Sequence, residues 1–598
     1  MDIAHINLPI MSYRSIYIVE SACFWPAVQE VVDGQLDLVL TLDFALKNKL
    51  TEEGLKVVYL DHILKTEFLE RCNFELHNFL DNWYKQPDGS DFFTFRDIPT
   101  GNSFLLNLVN PVSYHVHFLV NLLAVKSLQY EQLYVAAEDV TVLGLLNELE
   151  IRHTLLSDVP VRKARTYFFP ISKWMNEKIS GRSLKTKVRD FIYAALDKSL
   201  SVYDYVFTRN KTYVMVQHYF PTAPIIQQLR QDKAILLVVK NYSKTLWGIL
   251  RERRIPPAAT ADRYEVLGKE AFKRFNATTF ASWEIGGFDV AGSLKVVIEN
   301  IIESLVPEAF AKVGAIARFF GRYPVKLMIP VTDLWMENRL IMNYCKQHKI
   351  PVFMVINGLL IHNFEKEGRD CDWVNGYSQT MKDDYFYGAE NVWCLGDPRM
   401  DHYAVQSPRN VNRNTPNITI GAAGYSPVDL NSYLAYEFEF IHGILTACRL
   451  LKQEGRAFTI TLKIRANNYS GHYKTFVDEY FGDLSVQVIQ HTPFQEVILK
   501  ADVYISFFSQ TIFEATALRI PAIYYKNDTQ VLNRPFDQQS ELVTVSTPEE
   551  LAGALHAFFE ADERFDLLMD RQVLEKYIGP MDGRNTDRNI AAIYSLIK

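Results

Sequence analysis

Short apolar runs alternate with longer amphipathic stretches over the last third of the chain. The apolar runs are predicted strands, and they cover Ile418–Ala422, Phe458–Ile464, Val486–Ile489, Val503–Ile505, Ala522–Tyr525 and Leu542–Val545. Helical stretches such as Leu434–Gln453 and Tyr473–Tyr480 lie between most of these strands. Strands that alternate with helices in this way predict βαβ units and a doubly wound parallel sheet.

The first 406 residues show the same alternation in a less regular rhythm. The strand candidates there are Ile16–Val19, Leu36–Leu40, Val57–Leu60, Leu133–Ala136, Leu236–Val239, Lys326–Ile329, Val352–Ile356 and Val392–Leu395. Long helical stretches separate them, and residues 161–230 are predicted to form a helical insertion. We therefore expect a second Rossmann-like domain before the last third of the chain.

A change of composition marks the boundary between the two predicted domains. Residues 407–417 are rich in proline and asparagine, and Val411 is their only aliphatic side chain, so they predict a linker. The expected architecture is α/β, with Rossmann-like domains at 1–406 and 418–598 that face each other across a cleft. The amphipathic helix predicted from residue 587 onward is expected to dock back on the first domain.

Composition and charge are those of a globular protein with at least two domains. The chain has 598 residues, of which 48% are hydrophobic and 22% charged, and a single core stops growing near ~250–300 residues. The net charge of −7 argues against general nucleic-acid binding. No nucleic-acid partner is expected.

Cysteine usage and apolar segments predict a cytoplasmic protein. The six cysteines form no CxxC pair and indicate reduced thiols. The N-terminus lacks the basic-then-apolar pattern of a secretory signal. The most apolar window, Phe104–Val125, is interrupted by polar residues such as Asn110 and His115, so no transmembrane helix is expected.

The segment 501–525 carries the strongest chemical signal. The strand Val503–Ile505 runs into a polar turn at Ser506–Thr511, and a helix follows with Glu514 in its first turns. Ligands of parallel sheets bind beyond the carboxyl ends of the strands, where helix N-termini attract phosphate. The residues predicted here to bind a nucleotide-sugar are Ser509, Gln510, Thr511 and Glu514.

Within this group, Glu514 is suited to accept hydrogen bonds from ribose hydroxyls, and the other three residues suit phosphate. Serine and threonine at such positions also commonly cap helices, and a cap is compatible with a ligand site. Two neighbouring strand ends add candidates. The glycine-rich turn 421–426 brings Gly424 and Tyr425, and the end of the strand 458–464 brings Lys463 and Arg465. Their alternative interpretations are a tight turn and a solvated sheet edge.

Two Rossmann-like halves with a nucleotide site in the second resemble GT-B glycosyltransferases. More narrowly, the chain resembles bacterial capsule, lipopolysaccharide and teichoic-acid-type enzymes of that fold. The resemblance covers roughly residue 330 to the C-terminus. The segments that carry it are Asp333–Arg339, Ile356–His362, Leu395–Asp401 and Lys463–Arg465. Arg465-Ala466 replaces the family's His-Pro pair, and Ala522 stands where many relatives have a second glutamate.

The resemblance implies a glycosyltransferase that moves a sugar from a nucleotide donor to a surface-glycan or lipid-linked acceptor. The first domain would bind the acceptor, and Asp333 or Glu337 would deprotonate its hydroxyl or act as nucleophile. His362 is a further catalytic candidate. Arg399 is expected to bridge the domains through Asp401 or a backbone carbonyl. No cofactor and no metal are expected, since the nucleotide-sugar is itself a substrate.

Three other functions stay open at this point. A sugar-nucleotide epimerase on the same fold would need acid and base groups around one closed sugar site and no acceptor. A polyol-phosphate transferase would use a similar donor. A catalytically silent subunit would bind nucleotide without turnover, which the missing His-Pro pair favours.

A basic and aromatic segment breaks the acidic balance of the chain. Residues 161–190 contain nine Lys and Arg against Glu177 and Asp190, and Tyr167, Phe168, Phe169 and Trp174 lie among them. Such a segment suits an anionic membrane surface or an anionic lipid-linked acceptor. A solvated helical face is the alternative. The membrane interpretation would make the protein peripheral on the inner face of the membrane.

Overall fold

The computed structural model of the protein describes most of the chain. The described residues are 3–8, 12–156, 167, 184–208, 210–258, 262–278, 282–361, 364–422, 433–465, 470–527 and 533–597. Their strands build three units with parallel sheets, which we call the first, middle and C-terminal units. The α/β class predicted from the sequence is confirmed.

The first unit contains a five-stranded parallel sheet with the order β3-β2-β1-β4-β5. Its strands are β1 Ser12–Val19, β2 Leu38–Thr41, β3 Val57–Tyr59, β4 Gln129–Ala136 and β5 Thr154–Leu155. Its helices are α1 Phe44–Glu52, α2 Thr66–Leu80, α3 Leu105–Ser127 and α4 Val140–Glu148. The central strand β1 is buried over most of its length, as expected for a strand covered by helices on both faces.

The middle unit contains a second parallel sheet, with the order β8-β7-β6-β11 continued by β12-β13-β14. A parallel bridge between Met328 and Val352 joins the two parts. The strands are β6 Thr212–Val216, β7 Ile235–Val238, β8 Glu252–Arg253, β11 Val325–Ile329, β12 Phe353–Val355, β13 Trp373–Asn375 and β14 Val392–Trp393, with a separate hairpin of β9 Glu284–Ile285 and β10 Phe288–Asp289. The helices are α5 Leu184–Phe207, α6 Ala223–Leu229, α7 Leu246–Ile249, α8 Asp262–Asn276, α9 Ala291–Arg322, α10 Met336–Gln347, α11 Gln379–Asp384 and α12 Met400–Ala404.

The predicted helical insertion at 161–230 is interrupted by a strand. Helix α5 lies inside it, but Thr212–Val216 is β6, the first strand of the middle sheet. Four of its five residues are buried, because parallel strands are covered on both faces. A short apolar run of this kind cannot be told from a buried helix by its periodicity.

The C-terminal unit contains a six-stranded parallel sheet with the order β17-β16-β15-β18-β19-β20. All six strands lie at the predicted positions, as β15 Asn417–Gly421, β16 Thr459–Lys463, β17 Val486–Ile489, β18 Val503–Ser506, β19 Ala522–Tyr525 and β20 Val543–Val545. The helices are α13 Tyr436–Gln453, α14 Ser470–Phe481, α15 Phe494–Ile498, α16 Thr511–Ala517, α17 Pro548–Phe559, α18 Arg571–Ile578 and α19 Asn585–Leu596. This strand order is that of dinucleotide-binding folds.

The first and middle units share one hydrophobic core. Side chains of α3 and of α9 belong to the same cluster of buried residues, so the two units pack against each other through apolar side chains. Together with its preceding turn, α3 is long and apolar enough to cross a membrane, but 83% of its most apolar window is buried. Its composition is therefore accounted for by packing in the core.

The C-terminal helix docks on the middle unit, as the sequence predicts. Tyr594 of α19 donates a hydrogen bond of 2.5 Å to Asp232, and Ile590 and Ile593 join the core of the preceding units. The backbones of the two units approach each other closely at Gly579, just before the chain returns to the middle unit. Gly579 has a φ of +82°, and a Cβ added there would lie 2.4 Å from the carbonyl oxygen of Tyr377.

We expect Gly579→Ala to lower the free energy of unfolding by about 2–6 kcal/mol, since overpacking costs about 1–3 kcal/mol and an alanine at this positive φ about 1–3 kcal/mol. Gly388→Ala is the matched control, because Gly388 has a φ of +75° with no atom near the added Cβ. The control variant should lose only the contribution of an alanine at positive φ. Urea denaturation of both variants measures the difference, and equal losses would contradict a tight crossing at Gly579.

Candidate functional site

A polar crevice opens where the C-terminal sheet changes its winding direction. This point lies between β15 and β18, which pair in parallel and end together at Gly421 and Ser506. The Ser506 hydroxyl donates a 3.2 Å hydrogen bond to the carbonyl of Gly421. A Cβ at Gly421 would lie 2.1 Å from the Tyr504 hydroxyl, so only glycine fits beside it. Ligands of open parallel sheets bind at such switch points.

Hydroxyl groups line this crevice at the start of α16. The hydroxyls of Ser509 and Thr511 are hydrogen-bonded at 2.7 Å, and that of Thr511 is also 2.7 Å from the hydroxyl of Tyr504. The Thr511 amide donates to the Ser509 hydroxyl at 3.3 Å. The predicted residues Ser509 and Thr511 thus lie together at the carboxyl end of β18.

Glu514 lies one turn further into α16 and is almost fully buried. Its carboxylate accepts a hydrogen bond from the hydroxyl of Tyr403. Burial raises the pKa of Glu514, while the positive charge of Arg399 opposes the rise. Glu514 therefore belongs to a network that reaches from the C-terminal unit to the segment before the linker.

A buried ion pair at residues 397–399 lies where the segment that ends the middle unit meets the C-terminal unit. Nη2 of Arg399 is 2.7 Å from Oδ2 of Asp397, and the amide of Gln510 donates to the same carboxylate at 3.2 Å. Burial alone would lower the pKa of Arg399, but the carboxylate of Asp397 raises it. Asp401, the expected partner of Arg399, instead accepts hydrogen bonds from two amides at the start of α19.

The carboxyl edges of the middle and C-terminal sheets meet at this ion pair. The segment 356–361 follows β12, and a Cβ at Gly358 would lie 4.0 Å from Cβ of Gln510. Leu359 and Ile361 pack against the buried cluster that contains Ile512. The crevice of the C-terminal sheet therefore faces the carboxyl edge of the middle sheet, which is the cleft predicted between two Rossmann-like units.

The two predicted cations at the end of β16 differ in their surroundings. The Lys463 ammonium donates to the carbonyls of Gln490 at 2.6 Å and Ile464 at 2.8 Å, and burial lowers its pKa. It therefore holds the ends of two strands. Arg465 is exposed, and its guanidinium lies 5.9 Å from the ring of Phe507 in the turn after β18. Arg465 is the better placed of the two to meet an anion in the crevice.

The predicted acidic residues of the middle unit lie on two sides of one turn. Asp333 is fully buried, 3.3 Å from Nη2 of Arg339, and burial raises its pKa. Glu337 is exposed in the first turn of α10. His362, Gly424 and Tyr425 lie outside the described residues, and their roles stay predictions.

Glu367 is a candidate that the sequence analysis missed. It is 8% exposed, and burial together with the charge of Asp333 raises its pKa to about 8. The amide of its neighbour Gly368 donates to Asp333 at 3.3 Å. The charged run at 365–370, soon after a buried strand, is the signal that marks this loop. A carboxyl group with a pKa near neutrality is suited to exchange protons.

The sequence analysis missed another residue, which lies at the switch point of the middle sheet between β6 and β11. Gln217, which follows β6, accepts hydrogen bonds from the amide of Val331 at 2.8 Å and the side chain of Asn338 at 2.7 Å. Its own Nε2 is buried without a partner. Sequence reasoning missed Gln217 because it missed β6. The middle switch point thus offers an amide donor next to the Asp333–Glu367 pair.

No protein-family model matches this sequence, and a comparison with curated proteins finds no match. Solved structures do resemble it. UDP-GlcNAc 2-epimerase from Neisseria meningitidis is 14% identical with a TM-score of 0.40, over 64% of this chain and all of that one. MnaA from S. aureus is 13% identical with a TM-score of 0.41, over 65% and 98%.

The wall teichoic acid polymerase TagF is 11% identical with a TM-score of 0.37, over 72% of this chain and 98% of that one. A teichoic acid polymerase is a kind of enzyme that the sequence resemblance names, and an epimerase is one of the alternatives left open by the sequence analysis. Similarities of this size do not establish an activity. The function has to be argued from the sheets and side chains of this chain.

The raised pKa of Glu367 makes stability depend on pH. Because the folded-state pKa of about 8 exceeds the ordinary 4.5, the stabilisation from the bound proton is complete below about pH 4.5 and is lost as the pH rises to about 8. Within this window the contribution falls by about 1.4 kcal/mol per pH unit. We expect Glu367→Gln to remove this fall in urea denaturation at about pH 5 to 8.

The exposed Glu390 provides the control for this measurement. Glu390→Gln should follow the pH dependence of the unchanged protein, whereas Glu367→Gln should diverge from it increasingly with pH. If the free energy of unfolding of Glu367→Gln changes with pH as it does in the unchanged protein and in Glu390→Gln, the Glu367 carboxyl group is ionised in the folded protein.

Proposed function

We propose that this protein is a glycosyltransferase that moves a sugar from a nucleotide donor to a surface-glycan or lipid-linked acceptor. The observation that carries the proposal is the polar crevice of the C-terminal sheet, which faces the carboxyl edge of the middle sheet. A donor bound at one edge and an acceptor at the other would meet in the cleft. Transfer between two substrates requires such proximity.

The nucleotide-sugar would lie in the crevice of the C-terminal unit. The hydroxyls of Ser509 and Thr511 at the start of α16 suit its phosphates. Glu514 would accept hydrogen bonds from the ribose hydroxyls. Arg465 would neutralise charge on the leaving nucleotide without a metal.

The acceptor would lie against the middle unit. An acceptor hydroxyl must lose a proton as it attacks, and the candidates for this step are Asp333, Glu337 and Glu367. Gln217 offers its unpartnered Nε2 as a hydrogen-bond donor to a sugar hydroxyl. With the pKa of Glu367 near 8, its ionisation would shape the pH dependence of the rate.

A sugar-nucleotide epimerase is the second candidate, favoured by the buried Asp333–Glu367 pair. Two carboxyl groups with raised pKa values around one sugar suit proton removal and return without an acceptor. The two functions differ in their products. Incubation with a nucleotide-sugar alone yields an isomer from an epimerase, whereas a transferase needs an acceptor for sugar transfer.

The first prediction of this proposal concerns nucleotide binding. One of UDP, CMP, CDP, GDP and ADP should stabilise the protein against heat, by about 2.7 kcal/mol at ~100-fold excess over Kd. For that nucleotide, Glu514→Gln should weaken binding about 10- to 150-fold in calorimetric titration, since a charged hydrogen bond contributes about 1.5–3 kcal/mol.

The matched control is Glu496→Gln, in an exposed first-turn glutamate of the neighbouring helix α15. It should leave the affinity unchanged. A folded Glu514→Gln variant with full affinity would remove Glu514 from the donor site. No stabilisation by any of the five nucleotides would contradict a nucleotide donor.

We further propose that the protein works on the cytoplasmic side of an anionic membrane. The basic run 161–190 supports this, and so does the outer face of α5. That face exposes apolar side chains, namely Val188, Phe191, Ile192, Val202, Tyr205, Val206 and Phe207. Basic and apolar residues together suit binding at a lipid interface.

The corresponding prediction is salt-sensitive binding to anionic vesicles and little binding to neutral ones. Each Lys or Arg near the surface contributes about 1 kcal/mol, so charge reversal at Arg162, Lys163 and Arg165 should abolish cosedimentation. Phe191→Ser with Tyr205→Ser should weaken it as well, whereas Val405→Ser, at an equally exposed valine, should not. No vesicle binding at low salt would contradict the membrane proposal.

A further inference from the structure

Four arginines line one cavity of the middle unit, away from the cleft. The cavity lies between α5, the end of α9 and the segment after β8, and it has an accessible volume of about 180 Å³. The arginines are Arg253, Arg254, Arg318 and Arg322. Asp197 is the single carboxylate among the lining residues. The cavity is therefore strongly basic in a chain whose net charge is negative.

The arginines differ in how far their charge is already balanced. Arg253 is paired with the buried Asp204, and its Nη1 donates to backbone carbonyls. Nε of Arg254 is 3.1 Å from Asp197, which also accepts from Tyr242. Two arginines thus have a carboxylate partner within the fold.

Arg318 and Arg322 have no carboxylate partner among the described residues. Arg318 donates to the hydroxyl of Tyr264 at 3.1 Å, and Arg322 donates to the carbonyl of Ser201 at 2.8 Å. Both side chains are exposed, and no carboxylate of the described residues balances their charges. The cavity therefore keeps an excess of two positive charges after Asp197 and Asp204 are counted.

An unused donor of Arg254 completes the site. The Arg254 side chain is 6% exposed, and its Nη2 is buried with no hydrogen-bond partner. The guanidinium lies 4.7 Å from the ring of Tyr193, which fixes its plane. A buried charged donor without a partner is costly, and an anion in the cavity would satisfy it.

We propose that this cavity binds a phosphorylated ligand through a phosphate monoester or diphosphate group. Guanidinium groups match phosphate oxygens in geometry and charge, and several of them converge here. The volume is roughly six times the ~30 Å³ share of a water molecule, enough for a phosphate and part of its ester. Pro256, Pro257 and Phe319 form an apolar wall for the remainder of the ligand.

The phosphate has two sources that share this chemistry. One is a soluble phosphate compound, and the other is the headgroup of a phosphorylated lipid. Helix α5 supplies Asp197 to the cavity and exposes apolar side chains on its outer face, so a lipid headgroup could enter beside that face.

The test uses the full chain with inorganic pyrophosphate as the soluble probe. Calorimetric titration should show saturable binding that weakens at least tenfold in Arg318→Gln with Arg322→Gln. These two arginines have no carboxylate partner, so their loss leaves no buried acid unpaired. Arg274→Gln, at an exposed arginine outside the cavity, is the control and should bind like the unchanged protein.

A second arm separates the two sources. The lipid headgroup is the ligand if the protein cosediments with phosphatidic acid vesicles, if this binding requires Arg318 and Arg322, and if pyrophosphate competes with it. A soluble phosphate compound is the ligand if pyrophosphate binding requires this pair of arginines and vesicle binding does not. Equal pyrophosphate affinity in the unchanged, double-variant and control proteins would overturn the proposal, as would the absence of binding to the unchanged protein.

Discussion

The buried ion pair of Asp397 and Arg399 is the contact on which the cleft depends. Asp397 is inaccessible to solvent, and it accepts hydrogen bonds from Arg399 and from Gln510 of the C-terminal unit. A buried charge that loses its partner costs about 3–5 kcal/mol, so neither residue can leave this position cheaply. The pair fixes the turn before α16 against the segment that ends the middle unit, and the crevice with its hydroxyl groups opens from that turn.

The chain crosses between the units more than once, and each crossing restricts the others. The linker leads from the middle unit to β15, and α19 returns to pack beside α6. At the return point Gly579 touches the backbone of Gly396, next to Asp397. A side chain at Gly579 would collide with this backbone, and one at Gly396 would collide with Asn585 at the start of α19. The geometry of the cleft is thus set by glycine contacts and one ion pair, while apolar burial fixes the interior of each unit.

The sequence predicted the C-terminal sheet strand by strand because its apolar runs are short and separated by clear turn residues. It also predicted that Ser509 and Thr511 lie at a strand end. The prediction failed at Thr212–Val216, because a buried strand shows no alternation of apolar and polar residues. Gln217, which follows this strand, was therefore missed as well. Glu367 was missed for another reason. Its raised pKa arises from burial and from the charge of Asp333, which only the fold brings close to it.

If Glu514 binds the nucleotide as we propose, its network links ligand binding to the contact between the units. A carboxylate has about four acceptor positions, so the hydrogen bond from Tyr403 leaves others for ribose hydroxyls. Arg399 acts on the charge of Glu514 and is held by Asp397, which also holds Gln510 beside Gly358. A nucleotide that forms a hydrogen bond with Glu514 would therefore alter the electrostatic interactions of the charged groups that join the two units. Because such coupling is reciprocal, whatever closes the cleft would strengthen nucleotide binding by an equal free energy.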